Sequence, residues 1–159
     1  AREAVFPGIL WQRCQFHLQQ NAQAYVSKKV YAKEISSGIR TVFDAPNYKN
    51  AIRYLDELVK KYKDSNPRFS EWADENIREG LAVYNIPKLH RVRMRTSNLA
   101  ERQMKEIKRR INVVGIFPNS ESLLRLSGSL LIELEEHWQT ESRYLPEVSG
   151  KSAKNNFTE

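Results

Sequence analysis

The sequence predicts a mainly α protein. Three observations carry this expectation. Apolar residues recur at three- and four-residue steps through most of the chain, a single short stretch alternates with the period of a strand, and the six prolines fall at the ends of the periodic stretches. The strand candidate is residues 9–16, Ile-Leu-Trp-Gln-Arg-Cys-Gln-Phe, after the Pro7-Gly8 turn. One strand cannot make a sheet by itself. The Gln/Ala-rich residues 17–29 favour helix, and a second helical stretch carries Ile35, Ile39, Val42 and Phe43. Asp44-Ala45-Pro46-Asn47 breaks it and opens an amphipathic helix with Ala51, Ile52, Leu55, Leu58, Val59 and Tyr62 on one side, ending near Asp64-Ser65-Asn66-Pro67. Residues 67–78 place Phe69, Trp72, Ala73 and Ile77 at helical spacing before Gly80 and the apolar Leu81-Ala82-Val83-Tyr84. Ile86-Pro87 reads as an extended connection, because proline biases its predecessor away from helix.

Residues 88–97 keep no apolar period and read as a loop. Asn98 suits an N-cap and Glu101 follows three residues later, the spacing of a capping box, so the next helix is expected over residues 99–111. An apolar connector, Val113 through Asn119, leads to a last helix capped by Ser120 and ending at Trp138. Leu123, Leu124, Leu130, Leu131 and Leu134 are its expected buried stripe. The residues after Pro146 are polar and expected to fray.

At 159 residues the chain can form one domain, or a domain with a helical extension. The single cysteine, Cys14, excludes an internal disulfide framework. No apolar run approaches the ~20 residues a membrane span needs, and the first residues lack a secretory pattern, so a soluble intracellular protein is expected. The first residue is not methionine, which suggests a part of a longer protein. Charge is the most unequal property. Residues 88–110 hold nine basic side chains and two acidic ones, which is the whole of the net charge of +7, while the remaining chain is balanced at 17 of each sign. Charge concentrated in this way attracts polyanions, although a solvated helix face is the simpler use of a basic run.

Within that block one carboxylate stands out. Glu101 could merely close a capping box, a contribution of about 1 kcal/mol. However, residues 98, 101, 102, 105, 108 and 109 share one side of a helix, so the acid and much of the positive charge lie together. A divalent ion held partly by Glu101 would polarise a phosphodiester while neighbouring cations hold flanking phosphates. Such chemistry needs several carboxylates, and one glutamate is insufficient. Asp44, Asp56, Asp64 and Asp74 fall at turns or on polar helix faces, where capping or solvated roles are the default. Cys14 and His17 give half of a zinc spacing without a second pair, which favours a packed thiol and a hydrogen-bonded imidazole. The aromatic residues mostly occupy apolar helix positions and read as core.

Taken in order, three motifs resemble the C-terminal part of Mutator-type transposases of bacterial insertion sequences. They are Trp11-Gln12-Arg13-Cys14-Gln15-Phe16-His17, Arg95-Thr96-Ser97-Asn98-Leu99-Ala100-Glu101-Arg102, and Arg109-Arg110-Ile111-Asn112-Val113-Val114-Gly115-Ile116-Phe117-Pro118-Asn119, followed by a helix ending at Trp138. The resemblance implies an RNase H-like α/β catalytic core, present here incompletely as one short strand and the final helices, with a helical insertion attached. It implies an Asp, Asp, Glu set binding Mg²⁺ or Mn²⁺, and Glu101 as its third member, both catalytic residue and metal ligand. Cys14 and His17 would match the family's Cys-x-x-His element. Residues 1–17 would be the last strand region, 18–90 the insertion, 91–140 the glutamate helix and final core helix, and 141–159 a tail. Ser97 stands where the family often has threonine, and Ile111-Asn112 where Thr-Arg is usual.

Both aspartates would lie upstream of Ala1, leaving this chain catalytically incomplete. The expected partner is double-stranded DNA, at transposon ends and target, held through Arg93, Arg95, Asn98, Arg102, Lys105, Lys108, Arg109 and Arg110. Homo-oligomers assembled on DNA, no membrane, and a bacterial cytoplasm with nucleoid association complete the expectation. A non-catalytic helical nucleic-acid-binding module, or an oligomerisation piece, remains the alternative.

Overall fold

The computed structural model describes residues 2–5, 7–140 and 144–145, and divides the chain into two compact units, one reaching to Thr96 and one beginning at Ser97. The mainly α expectation holds: among the described residues every regular element is helical. None of these helices is long and apolar enough to cross a membrane. The tail expected over residues 141–159 lies, apart from Tyr144 and Leu145, outside the described residues.

The first unit begins with a single turn, α1 (Arg2–Val5), followed by α2 (Gln15–Ala22), α3 (Lys29–Phe43), α4 (Tyr48–Tyr62), α5 (Pro67–Asn76) and α6 (Lys88–Met94). Tight 3-10 turns at Gln23–Tyr25, Ile77–Gly80 and Ala82–Asn85 join them. Local chemistry sets the starts. The Asn47 side chain accepts the Asn50 N–H at 2.8 Å and caps α4, and Pro67 opens α5 where no N–H is required.

The core follows the helical period: Leu18, Ile35, Ile39, Val42, Leu55, Phe69, Ile77 and Leu81 are wholly buried. Each such side chain contributes about 1.5–3 kcal/mol of burial free energy. α3 and α4 approach closely at Gly38, where a Cβ would fall 2.5 Å from the Leu58 Cδ1. Tyr25 stacks on Trp72, and Tyr62 meets Tyr31 and Phe69 edge-on. The Tyr84 hydroxyl donates to the Ala45 carbonyl at 2.9 Å, fastening the last 3-10 turn to the segment after α3.

Residues 9–16 do not form the expected strand. Residues 9–14 have no regular structure and Gln15 opens α2. No described strand lies alongside to complete a ladder, and the polar members of the alternation turn inward. Gln12 accepts the Val83 N–H at 2.7 Å and donates to the Gly80 carbonyl at 2.9 Å, while Ile9, Leu10 and Trp11 are more than half exposed. The backbone N–H groups of Arg13 and Gln15 donate to the Glu79 and Arg95 carbonyls, both at 2.9 Å.

The loop expected over residues 88–97 is also corrected, since α6 occupies most of it. This short helix buries none of its residues. It is held by its backbone bonds and by Arg91, whose side chain donates to the carbonyls of Ile86 and Tyr84, both at 3.1 Å.

The second unit consists of α7 (Asn98–Val114) and α8 (Ser120–Thr140) among its described residues. α7 ends at Gly115, whose φ of +77° suits glycine. The expected capping box at Asn98 is absent, because Asn98 is already helical and Ser97 precedes the helix. Asn119, rather than Ser120, caps α8 by accepting the Ser122 N–H at 2.8 Å. The buried stripe expected along α8 is only half formed. Leu123, Leu130 and Leu134 are partly buried, but Leu124 and Leu131 are exposed, because among its described residues the unit packs α8 against α7 alone.

Candidate nucleic-acid interface

α7 carries two different faces. The side turned to α8 contributes Gln103, Glu106, Ile107 and Arg110, which with Leu130, Glu133, Leu134 and His137 enclose a cavity of about 310 Å³. Ile107 is its buried anchor. Glu106 accepts from Arg109 at 2.9 and 2.7 Å and from Arg110 at 3.0 Å, and Arg110 also donates to Glu133 at 2.9 Å. Hydrogen bonds from the two guanidinium groups hold the Glu106 carboxyl down to about 2. Arg110 therefore joins α7 to α8, and Arg109 shares the same carboxylate.

The outward face holds Asn98, Glu101, Arg102, Lys105, Lys108 and Arg109, all exposed. Glu101, Met104, Lys105, Lys108, Arg109 and Asn112 line an open depression of about 510 Å³. Arg102, Lys105 and Lys108 form no ion pair with any described residue. Three long, mobile cations on one helix face suit the spaced charges of a phosphate backbone, with or without sequence discrimination.

Glu101 sits in the first turn of α7, where the helix macrodipole favours an anion. It is exposed, its backbone N–H donates to the Ser97 carbonyl at 2.9 Å, and its carboxylate accepts from the Ser97 hydroxyl. A hard divalent cation requires about six oxygen ligands. The outward face supplies one carboxylate, which fits a single corner of such a site and no more. Three of the four candidate aspartates are occupied elsewhere: Asp44 pairs with Arg95 at 2.7 Å, and Asp56 and Asp74 both hold Arg78 at 3.0 Å.

In the first unit, Cys14 stands at the start of α2 and His17 one turn into it, with Phe16 edge-on to the imidazole. Both are partly buried, and they amount to two of the four ligands of a structural zinc site. Arg93 is exposed on α6. Arg95 is not part of an open basic face. Its Nε donates to the Gln15 Oε1 at 2.7 Å, its Nη2 to Asp44 at 2.7 Å, and its carbonyl accepts the Gln15 N–H. Gln15, only 3% exposed, donates in turn to the Gly80 carbonyl at 2.7 Å. Sequence reasoning missed Gln12 and Gln15 as organising residues. Their partners lie 65 to 80 positions away, so no local pattern marks them.

The family model described as transposase, Mutator family, matches residues 1–141. The chain belongs to the Mutator family of transposases. This Mutator-family chain is 43% identical to the transposase for insertion sequence element IS406 of Burkholderia multivorans, over 91% of its own length and 37% of the relative's. It is 33% identical to the transposase for element ISRM5 of Rhizobium meliloti, over 89% of the chain and 35% of that protein. The transposase for element IS256 in transposon Tn4001 of Staphylococcus aureus is 30% identical over 87% and 35%. The Mutator-family chain thus spans about a third of the length of these curated relatives. No solved structure matches it.

Proposed function

We propose that this chain supplies the glutamate corner of a metal-dependent site that cuts and joins DNA at the ends of an insertion sequence, together with a helix face that grips the DNA backbone. The supporting observation is the outward face of α7, where Glu101 is the one carboxylate among Arg102, Lys105, Lys108 and Arg109, while Glu106 is occupied by two arginines. Bound Mg²⁺ or Mn²⁺ would supply Lewis-acid polarisation of the phosphodiester. Glu101 would hold it through a carboxylate oxygen, with the Ser97 hydroxyl limiting the rotamers of that side chain. Arg102, Lys105 and Lys108 would offset charge on flanking phosphates, and Arg93 on α6 would supply a phosphate contact of its own.

The two further carboxylates come from outside this chain, in an RNase H-like core that the complete protein would supply, so the chain alone neither cleaves nor joins DNA. The substrate is double-stranded DNA at element ends and target, and copies of the protein assemble on it in the bacterial cytoplasm, associated with the nucleoid. The reading draws on the names of the relatives, each a transposase of an insertion sequence element.

Glu101→Gln in the complete reading frame tests the assignment. Cleavage and strand joining are expected to fall by at least about 100-fold, the scale of a lost metal-site contact, while affinity for duplex ends is retained. Undiminished strand joining would reduce Glu101 to a helix-start residue fastened by Ser97. The Ser97–Glu101 hydrogen bond favours that second reading, in which the chain is a non-catalytic DNA-binding module.

A further inference from the structure

We propose that a cleft in the first unit, between the Asp44–Pro46 segment and α6, is a separate seat for one phosphate of the DNA backbone. The cleft encloses about 230 Å³ and is lined by Lys88, Arg91 and Arg95, with Asp44 as its acid and the Tyr84 ring among its walls. Arg95 and Asp44 neutralise each other at 2.7 Å. Two cations are left over. Lys88 is exposed and has no described ion-pair partner. Arg91 is partly buried and rigidly placed, lying 5.1 Å from the centre of the Tyr84 ring and donating to the carbonyls of Ile86 and Tyr84. These bonds occupy two of the guanidinium's five N–H donors, so the rest are available to a ligand.

A cation fixed before the ligand arrives loses little side-chain entropy on binding, which favours a specific anion over a diffuse ion cloud. Size narrows the choice of anion. Cavities for drug-sized ligands begin at about 300 Å³, whereas a single phosphate group fits the smaller cleft. One phosphate met by Lys88 as a mobile charge and Arg91 as a fixed fork matches the division of labour between these two side chains. This seat draws on the DNA reading of the chain only for the identity of the polyanion, and it shares no residue with α7.

The test uses the intact chain and compares Lys88→Glu with the double variant Lys105→Glu/Lys108→Glu in duplex binding against salt. Lys88→Glu is expected to weaken binding roughly fivefold and to lower the log–log salt slope by about 1. Lysine acetylation supplies a second readout: duplex DNA should protect Lys88, and inorganic phosphate at the same phosphate concentration should not. If Lys88→Glu binds like the parent while the α7 double variant is weakened, the cleft is overturned and the α7 reading stands. If the reverse holds, the α7 reading falls and the cleft survives. Equal protection by inorganic phosphate would make it a seat for a free anion and overturn the DNA assignment.

Discussion

If α7 holds DNA as proposed, replacing Arg102, Lys105 and Lys108 together by alanine should remove most of the salt dependence of binding. The structure decides which cations count. Arg109 and Arg110 share the Glu106 carboxylate, and Arg110 also reaches Glu133, so their charge is largely matched before DNA arrives. Arg102, Lys105 and Lys108 have no such partner among the described residues. If each meets one phosphate, the three together contribute about −2.7 to the log–log slope, and between about 50 and 200 mM salt that amounts to about 40-fold in affinity. Fluorescence anisotropy with a labelled duplex, titrated across that salt range, reads the slope directly. The triple variant should lose nearly all of the 2.7, whereas Arg110→Ala should change the slope by well under 1. A triple variant whose slope stays within about 1 of the parent, or an Arg110→Ala variant whose slope falls as far as about 2.7, would refute the division of α7 into a matched and an unmatched face.

Two further outcomes follow from hydrogen bonds already described. Gln15→Leu strips the Gly80 carbonyl and the Arg95 guanidinium of a buried partner and should cost about 1–3 kcal/mol in urea unfolding; a loss below about 0.5 kcal/mol would show that solvent replaces the amide. Glu106 gives a pH dependence. Its carboxyl lies at about 2 in the folded chain against an ordinary 4.5, so its contribution is present above 4.5 and lost as pH falls through about 2. Helicity followed by circular dichroism should therefore decline across that window, and Glu106→Gln should remove this part of the decline.

The sequence made the helices legible wherever burial and period agree. α3, α4 and α5 were readable because Ile35, Ile39, Leu55, Leu58 and Phe69 recur at helical steps and all are buried. α7 was readable for a different reason: placing Glu101 beside Arg102, Lys105 and Lys108 needs only the geometry of one helix. The misreadings share a cause. α6 buries nothing, so it leaves no apolar period, and it depends on Arg91 meeting carbonyls of the preceding turn. Residues 9–16 imitate a strand, yet Gln12 and Gln15 point inward toward partners distant in sequence. The pairing of Arg95 with Asp44 and Gln15 is likewise unmarked in the sequence, because both partners lie more than fifty positions away. α8 looked like a buried helix because leucine content records what a face would cover, not whether a neighbour is there to be covered.

Among its described residues, α7 buries Ile107 alone, and its outward cations Arg102, Lys105 and Lys108 are all exposed. Selection can therefore alter those positions one at a time with little effect on folding. If these cations hold nucleic acid as proposed, that grip is a property a lineage of mobile elements can raise or lower gradually, by exchanging lysine for neutral residues along a single helical edge, without first having to find a compensating change in the core.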